Sequence, residues 1–133
     1  MIIKYRDNVM NYSYYELAVQ RWCTPEYNLH GLWPQFTPST YPTYCEDVVY
    51  KPPTGELLGE MQQSWNQCGG DLWEHEWLKH GSCVYEQQGV AEDTFFNRTL
   101  ELFYEYFDLT EKCTQQDCIV GCFDLDLEPI ECP

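Results

Sequence analysis

Eight cysteines in a chain of 133 residues constrain this sequence more than any other feature. An even number at this density reads as a disulfide framework, and such frameworks form in oxidising compartments. Cys23, Cys45, Cys68, Cys83, Cys113, Cys118, Cys122 and Cys132 include no pair with the two-residue gap of a zinc knuckle, so structural zinc is the weaker reading. Sequons at Asn11 (with Ser13) and at Asn97 (with Thr99) agree with secretion, though such short strings also arise by chance. The opening MIIKYRDNVMNYS carries charges where a signal peptide needs an apolar run, and no stretch is long enough to span a membrane. The expectation is a mature form or a fragment, with Met1 not marking the natural start.

The length suits one domain, residues 1–133, with one core. Against 22 acidic residues stand 7 basic ones, for a net charge of -15, so the surface repels polyanions at neutral pH. Lys4, Arg6, Arg21, Lys51, Lys79, Arg98 and Lys112 are scattered along the chain, which argues against a protein that coats RNA by counterion release. At acidic pH the repulsion eases, because carboxylates lose charge and imidazoles gain it. The composition therefore suits secretion or an endolysosomal lumen.

Tyr14 to Trp22 is aromatic and β-prone and reads as a core strand, ended by Cys23, Thr24 and Pro25. Tyr27 to Trp33 reads as a second strand, stopped by Pro34, on which period-two alternation puts Asn28, His30 and Leu32 on one face. Gln35 to Gly59 is rich in Pro, Thr and Tyr and reads as an irregular loop. Asp71 and Glu74 have the spacing of a capping box and Gly81 that of a stop, predicting a helix over Leu72–His80. Phe95, Phe96, Thr99, Leu100, Phe103, Tyr106 and Phe107 form the core stripe of a helix from Ala91 to Leu109. Cys118–Phe123 and Leu127–Cys132 read as a closing hairpin.

The chain has three histidines, confined to NLHGLWPQ (His30) and LWEHEWLKHGSC (His75 and His80). On a helix His75 stacks on Lys79 and Glu76 on His80, so two imidazoles, a carboxylate and an ammonium share one face, with Trp73 and Trp77 anchoring the other side. Any one of these residues has an ordinary structural explanation, a solvated ion pair or a hydrogen-bonded His. Grouped, they point to a catalytic cluster with perturbed pKa values. A zinc peptidase needs histidines four apart; here the spacing is five and Lys79 stands where the second ligand belongs. Neither a phosphate-binding glycine loop nor a serine elbow is present.

HGLWP (His30 to Pro34) and EHEWLKHGSC (Glu74 to Cys83) resemble the two active-site segments of the ribonuclease T2 family, which includes secreted acid ribonucleases and plant S-RNases. YELAVQRW and CFDLDLEPIECP resemble its early strand and closing hairpin, so the likeness covers most of the chain. It implies an α+β fold, a central antiparallel sheet packed by helices, and metal-independent cleavage of single-stranded RNA without a cofactor. The ribose 2'-hydroxyl attacks the adjacent phosphorus to give a 2',3'-cyclic phosphate. Carried across by position, His80 is the general base, His30 the general acid, Glu76 and Lys79 stabilise the pentavalent phosphorus, and His75 holds the phosphate. Trp33 and Tyr41 match residues that stack on the base 5' to the cut, Gln35 stands where some members carry Asp, and Gln20 is a candidate contact for the other base. Trp33 and Tyr41 serve equally as core packing.

The same likeness pairs Cys45 with Cys83 and Cys122 with Cys132; Cys23 with Cys68 and Cys113 with Cys118 are guesses among 105 possible connectivities. The stretches from Cys23 to His30 and from Cys83 to Cys113 are short for the family, which implies a reduced second base site. Three readings compete: a monomeric endoribonuclease, a secreted effector or interaction protein that keeps the fold, and a metal hydrolase. The complete acid, base and clamp set favours the first, since a binding module needs none of them.

Overall fold

In the computed structural model, which describes residues 11–133, strand β1 (Tyr14–Gln20) carries Tyr15, Leu17 and Val19 into the core on alternate positions. It lies between β2 (Asn28–Gln35) and β3 (Asp117–Phe123), and β3 pairs outward with the short β4 (Pro129–Ile130). All pairings are antiparallel, in the order β2-β1-β3-β4. Pro34, expected to stop β2, sits inside it opposite Tyr15; β2 is an edge strand, where a missing amide hydrogen is tolerated.

The alternation expected for Asn28, His30 and Leu32 is overturned by a bulge. Ala18 faces Gly31 and Val19 faces Leu29, which leaves His30 with no partner on β1. The extra residue reverses the strand's faces, so Leu29 and Leu32, three apart, both enter the core while His30 is turned out of it. On the other side of β1 the pairing jumps from Gly121 to Ile119, a second bulge beside the same Ala18.

Helix α1 (Gly55–Ser64) occupies part of the segment read as loop. Leu57, Met61 and Ser64 are buried at helical spacing, and Trp65 after the helix packs edge-on against Phe96. Helix α2 (Leu72–Glu76) starts at Asp71, but the Asp71 side chain caps nothing; Gln67 Oε1 accepts the Trp73 N–H instead, at 3.0 Å. Gly81 does not stop it. A π-helical segment (Trp77–Gly81) leads directly into α3 (Ser82–Gln88), and the left-handed terminator is Gly89, at φ 70°. Gly81 has a different reason to be glycine: a Cβ there would lie 2.2 Å from Trp77 Cε3. Helix α4 (Glu92–Glu105) buries Phe95, Phe96, Thr99, Leu100 and Phe103 as expected, but it ends before Phe107. The following 3-10 helix (Phe107–Lys112) rotates Phe107 outward to 40% exposure, against the expectation that it is core.

Four disulfides, Cys23–Cys68, Cys45–Cys83, Cys113–Cys118 and Cys122–Cys132, tie the long connections to these elements. Among the described residues no helix is long and apolar enough to cross a membrane. The charged opening through residue 10 lies outside the described residues.

Candidate active site

The β2 bulge and the π-helical segment face each other across a cleft of about 360 Å3. Both are irregularities in a regular element, and both re-aim side chains that an ideal strand or helix would send elsewhere. The cleft brings together eight of the nine residues singled out from the sequence for catalysis and base contact: His30, Trp33, Gln35, Tyr41, His75, Glu76, Lys79 and His80. Glu16, Pro38 and Ile119 complete its wall.

Gln20, the ninth, is not there. It is fully buried, its Nε2 donates to the carbonyls of Leu29 and Asn66, and its Oε1 accepts the Trp22 N–H. Gln35 lines the cleft but is also buried, its Nε2 donating to Thr37 O at 2.9 Å. Tyr41 is open to solvent, with its ring 6.0 Å from that of His80 and the Lys79 ammonium 5.7 Å from its centroid.

Glu76 is the buried hinge of the arrangement, at 1% exposure. Trp33 Nε1 donates to its Oε1 at 2.8 Å, and its Oε2 lies 3.7 Å from His30 Nε2. Gly31 makes this approach possible, since a Cβ at that position would fall 2.0 Å from Glu76 Oε1. Burial pushes the Glu76 carboxyl up to about 8, opposed by the Trp33 hydrogen bond and the Lys79 charge. Glu76 is therefore a neutral acid over the acidic range.

Both imidazoles pack against the Trp33 indole, with ring centroids at 4.8 Å (His30) and 5.5 Å (His80). Burial, then the charges of Lys79, His75 and His30, drives His80 down to about 3, and its Nδ1 has no hydrogen-bond partner among the described residues. His30 is also held below its usual value by burial, but Asp117 opposes the shift through its charge and a 3.2 Å contact between Oδ1 and His30 Nδ1. Sequence reasoning missed Asp117. It lies 87 residues from His30, and no local pattern marks it.

The helix side is fixed to the loop that carries Tyr41. Tyr44 N donates to Lys79 O, Cys45 N donates to Ser82 Oγ, and the Cys45–Cys83 disulfide closes the same junction. Trp73 and Trp77 anchor the opposite helix face, donating to the carbonyls of Trp65 and Val49. Among the described residues no group of three His, Cys, Asp or Glu is arranged to hold a metal ion.

Sheet, helices and cleft define a disulfide-bonded α+β protein whose cleft is lined by imidazoles and a buried carboxyl. The chain belongs to the ribonuclease T2 family, whose description matches residues 10–121. A ribonuclease T2-like protein of Aspergillus fumigatus is 33% identical over 100 aligned positions, covering 58% of this chain and 24% of the relative. Extracellular ribonuclease LE of Solanum lycopersicum is 32% identical over 85 positions, covering 58% of this chain and 36% of the relative. The chain thus spans well under half the length of these curated relatives. The crystal structure of the self-incompatibility associated SF11-RNase of Nicotiana alata superposes with a TM-score of 0.74 at 18% identity, covering 92% of each chain. That likeness establishes the ribonuclease T2 fold: a four-stranded antiparallel sheet with four helices.

Proposed function

We propose that this chain is an endoribonuclease that cleaves single-stranded RNA by transphosphorylation, leaving a 2',3'-cyclic phosphate, as a single-domain monomer working at acidic pH. The observation that carries the reading is the gathering of His30 and His80 against the Trp33 ring, around one cleft that also holds Glu76 and Lys79. His80, uncharged down to about pH 3, takes the proton of the 2'-hydroxyl. The freed 2'-oxygen attacks phosphorus, and the P–O5' bond breaks as protonated His30 donates its proton to the leaving 5'-oxygen. His75 holds the phosphate, and the Lys79 ammonium balances the charge that gathers on the pentavalent phosphorus.

Glu76 then has a role suited to its protonation. A carboxylate would repel the phosphate, whereas a carboxyl raised to about 8 donates a hydrogen bond to a non-bridging oxygen. Trp33 and Tyr41 form the stacking surface for the base 5' to the cut, a contact typically contributing about 1 to 3 kcal/mol.

The acid optimum follows from the same groups. The base is free above about 3 and the acid is charged only below a value held under its ordinary 6.5, so the window in which both are ready is acidic. Low pH also lessens the repulsion between a chain of net charge -15 and its substrate. Four disulfides point to the secretory pathway. Relatives in one plant, Solanum lycopersicum, include extracellular ribonuclease LE and intracellular ribonuclease LX; an exterior or endolysosomal site fits the present chain.

The test is incubation with the dinucleotide CpA at pH ~5, with EDTA present, followed by chromatography for cytidine 2',3'-cyclic phosphate. The expected result is cyclic product whose yield EDTA leaves unchanged and which declines toward pH ~8. No cyclic product would overturn the reading in favour of a protein that keeps the fold and acts by binding.

A further inference from the structure

His30 is held from behind as well as presented in front. Its Nδ1 meets Asp117 Oδ1 at 3.2 Å, and the same oxygen accepts a hydrogen bond from Trp22 Nε1 at 3.0 Å. The Trp22 ring also packs edge-on against the imidazole, 4.7 Å between centroids, as Trp33 does at 4.8 Å. Trp22 is itself fixed from the core, because its backbone N–H donates to the buried Gln20 Oε1. One continuous set of contacts therefore runs from Gln20 through Trp22 and Asp117 to His30.

We propose that Asp117, braced by Trp22, is the positioning residue for His30: it fixes the ring with Nε2 toward the cleft and holds its proton. The inference rests on the assignment of His30 as general acid. With Nδ1–H donating to Asp117, only Nε2 is left to serve the cleft, and a carboxylate behind the ring favours the charged imidazolium. The other charged or titratable groups lining the cleft with His30 are Glu76, His75, Lys79 and His80 from the helix side, Glu16 from β1 and Tyr41 from the loop. Glu76 is neutral over the acidic range, and His75 and Lys79 oppose a charge on His30. Asp117 is thus the anion that keeps the acid loaded.

Asp117 is 59% exposed, so substituting it leaves the core untouched. Asp117→Asn should move the alkaline limb of kcat/KM to lower pH and reduce turnover roughly tenfold near pH 6, with a smaller loss near pH 4 where His30 is protonated without help. Asp117→Glu should restore part of the loss. The His30 imidazole resonance, followed by NMR against pH in the substrate-free protein, should titrate lower in Asp117→Asn than in the parent chain. Trp22→Phe should shift it in the same direction by less. A His30 titration and a pH profile both unchanged in Asp117→Asn would overturn the proposal, and so would an equal loss of turnover at every pH. If the parent chain cleaves no RNA, the endoribonuclease reading fails, while the NMR titration still decides whether Asp117 governs the charge of His30.

Discussion

The two walls of the cleft carry the same chemical group in opposite settings. On the strand wall His30 sits at a bulge, 17% exposed, with an aspartate behind it and two indoles beside it. On the helix wall His80 is 5% exposed, has the Lys79 ammonium for a neighbour and no partner for Nδ1 among the described residues. Burial disfavours a proton on both imidazoles, but only His30 has a carboxylate beside it to oppose that shift. Identical side chains thus meet opposite electrostatic surroundings on the two walls.

The largest effects should come from removing either ring. His80→Phe and His30→Phe should each lower kcat/KM on CpA at pH ~5 by on the order of a hundredfold or more. The two should differ in stability. His80 is depressed from 6.5 to about 3 in the folded chain, so the stability it contributes is full above 6.5 and lost as pH falls toward 3. His80→Phe should therefore flatten the acid side of the Tm profile, and His30→Phe should do so less. Equal profiles for both variants would mean that the walls do not differ as described.

Glu76 titrates in the opposite sense. Its folded value is raised from 4.5 to about 8, so its contribution is complete below 4.5 and lost as pH rises toward 8. Glu76→Gln retains an acceptor for Trp33 Nε1 and cannot ionise. Relative to this variant the parent chain should lose on the order of a few kcal/mol between pH 5 and 8, read from denaturant midpoints at each pH. A constant difference across that range would remove the case for a neutral Glu76 and for its hydrogen bond to phosphate.

How the walls meet is tested by Gly31. A Cβ at this position would overlap Glu76 Oε1 at 2.0 Å, and the carboxyl would have to leave its bond with Trp33. Gly31→Ala should cost about 1 to 3 kcal/mol of stability from overpacking and lower turnover at least tenfold. Unchanged activity would show that Glu76 can act from another position.

The legible parts of this molecule are those written in local pattern. HGLWP and EHEWLKHGSC announced the residues of both walls, and the apolar spacing of Phe95 to Phe103 announced α4. The bulge that points His30 into the cleft was illegible, because strand alternation has no local mark for an inserted residue and the pairing that exposes it is with β1. The π-helical segment is hidden in the same way: Gly81 read as a stop, when its task is to make room for Trp77. Asp117 belongs to a strand far along the chain, and only the sheet order brings β3 beside β1 and within reach of β2. Local propensity names the side chains of this site; long-range pairing aims them.

The smallest expected effect separates two ways of starting the helix wall. Asp71 has the position of a cap and makes no side-chain bond to the helix, while Gln67 Oε1 accepts the Trp73 N–H. Gln67→Ala leaves that amide without its acceptor and should cost about 1 kcal/mol in chemical denaturation. Asp71→Ala removes only a favourable charge at the helix start and should stay within about 0.5 kcal/mol. The reverse ranking would restore the capping box read from Asp71 and Glu74. Gln67 lies beside the Cys23–Cys68 bridge, so the helix wall takes its starting position from a disulfide-held loop rather than from its own first turn.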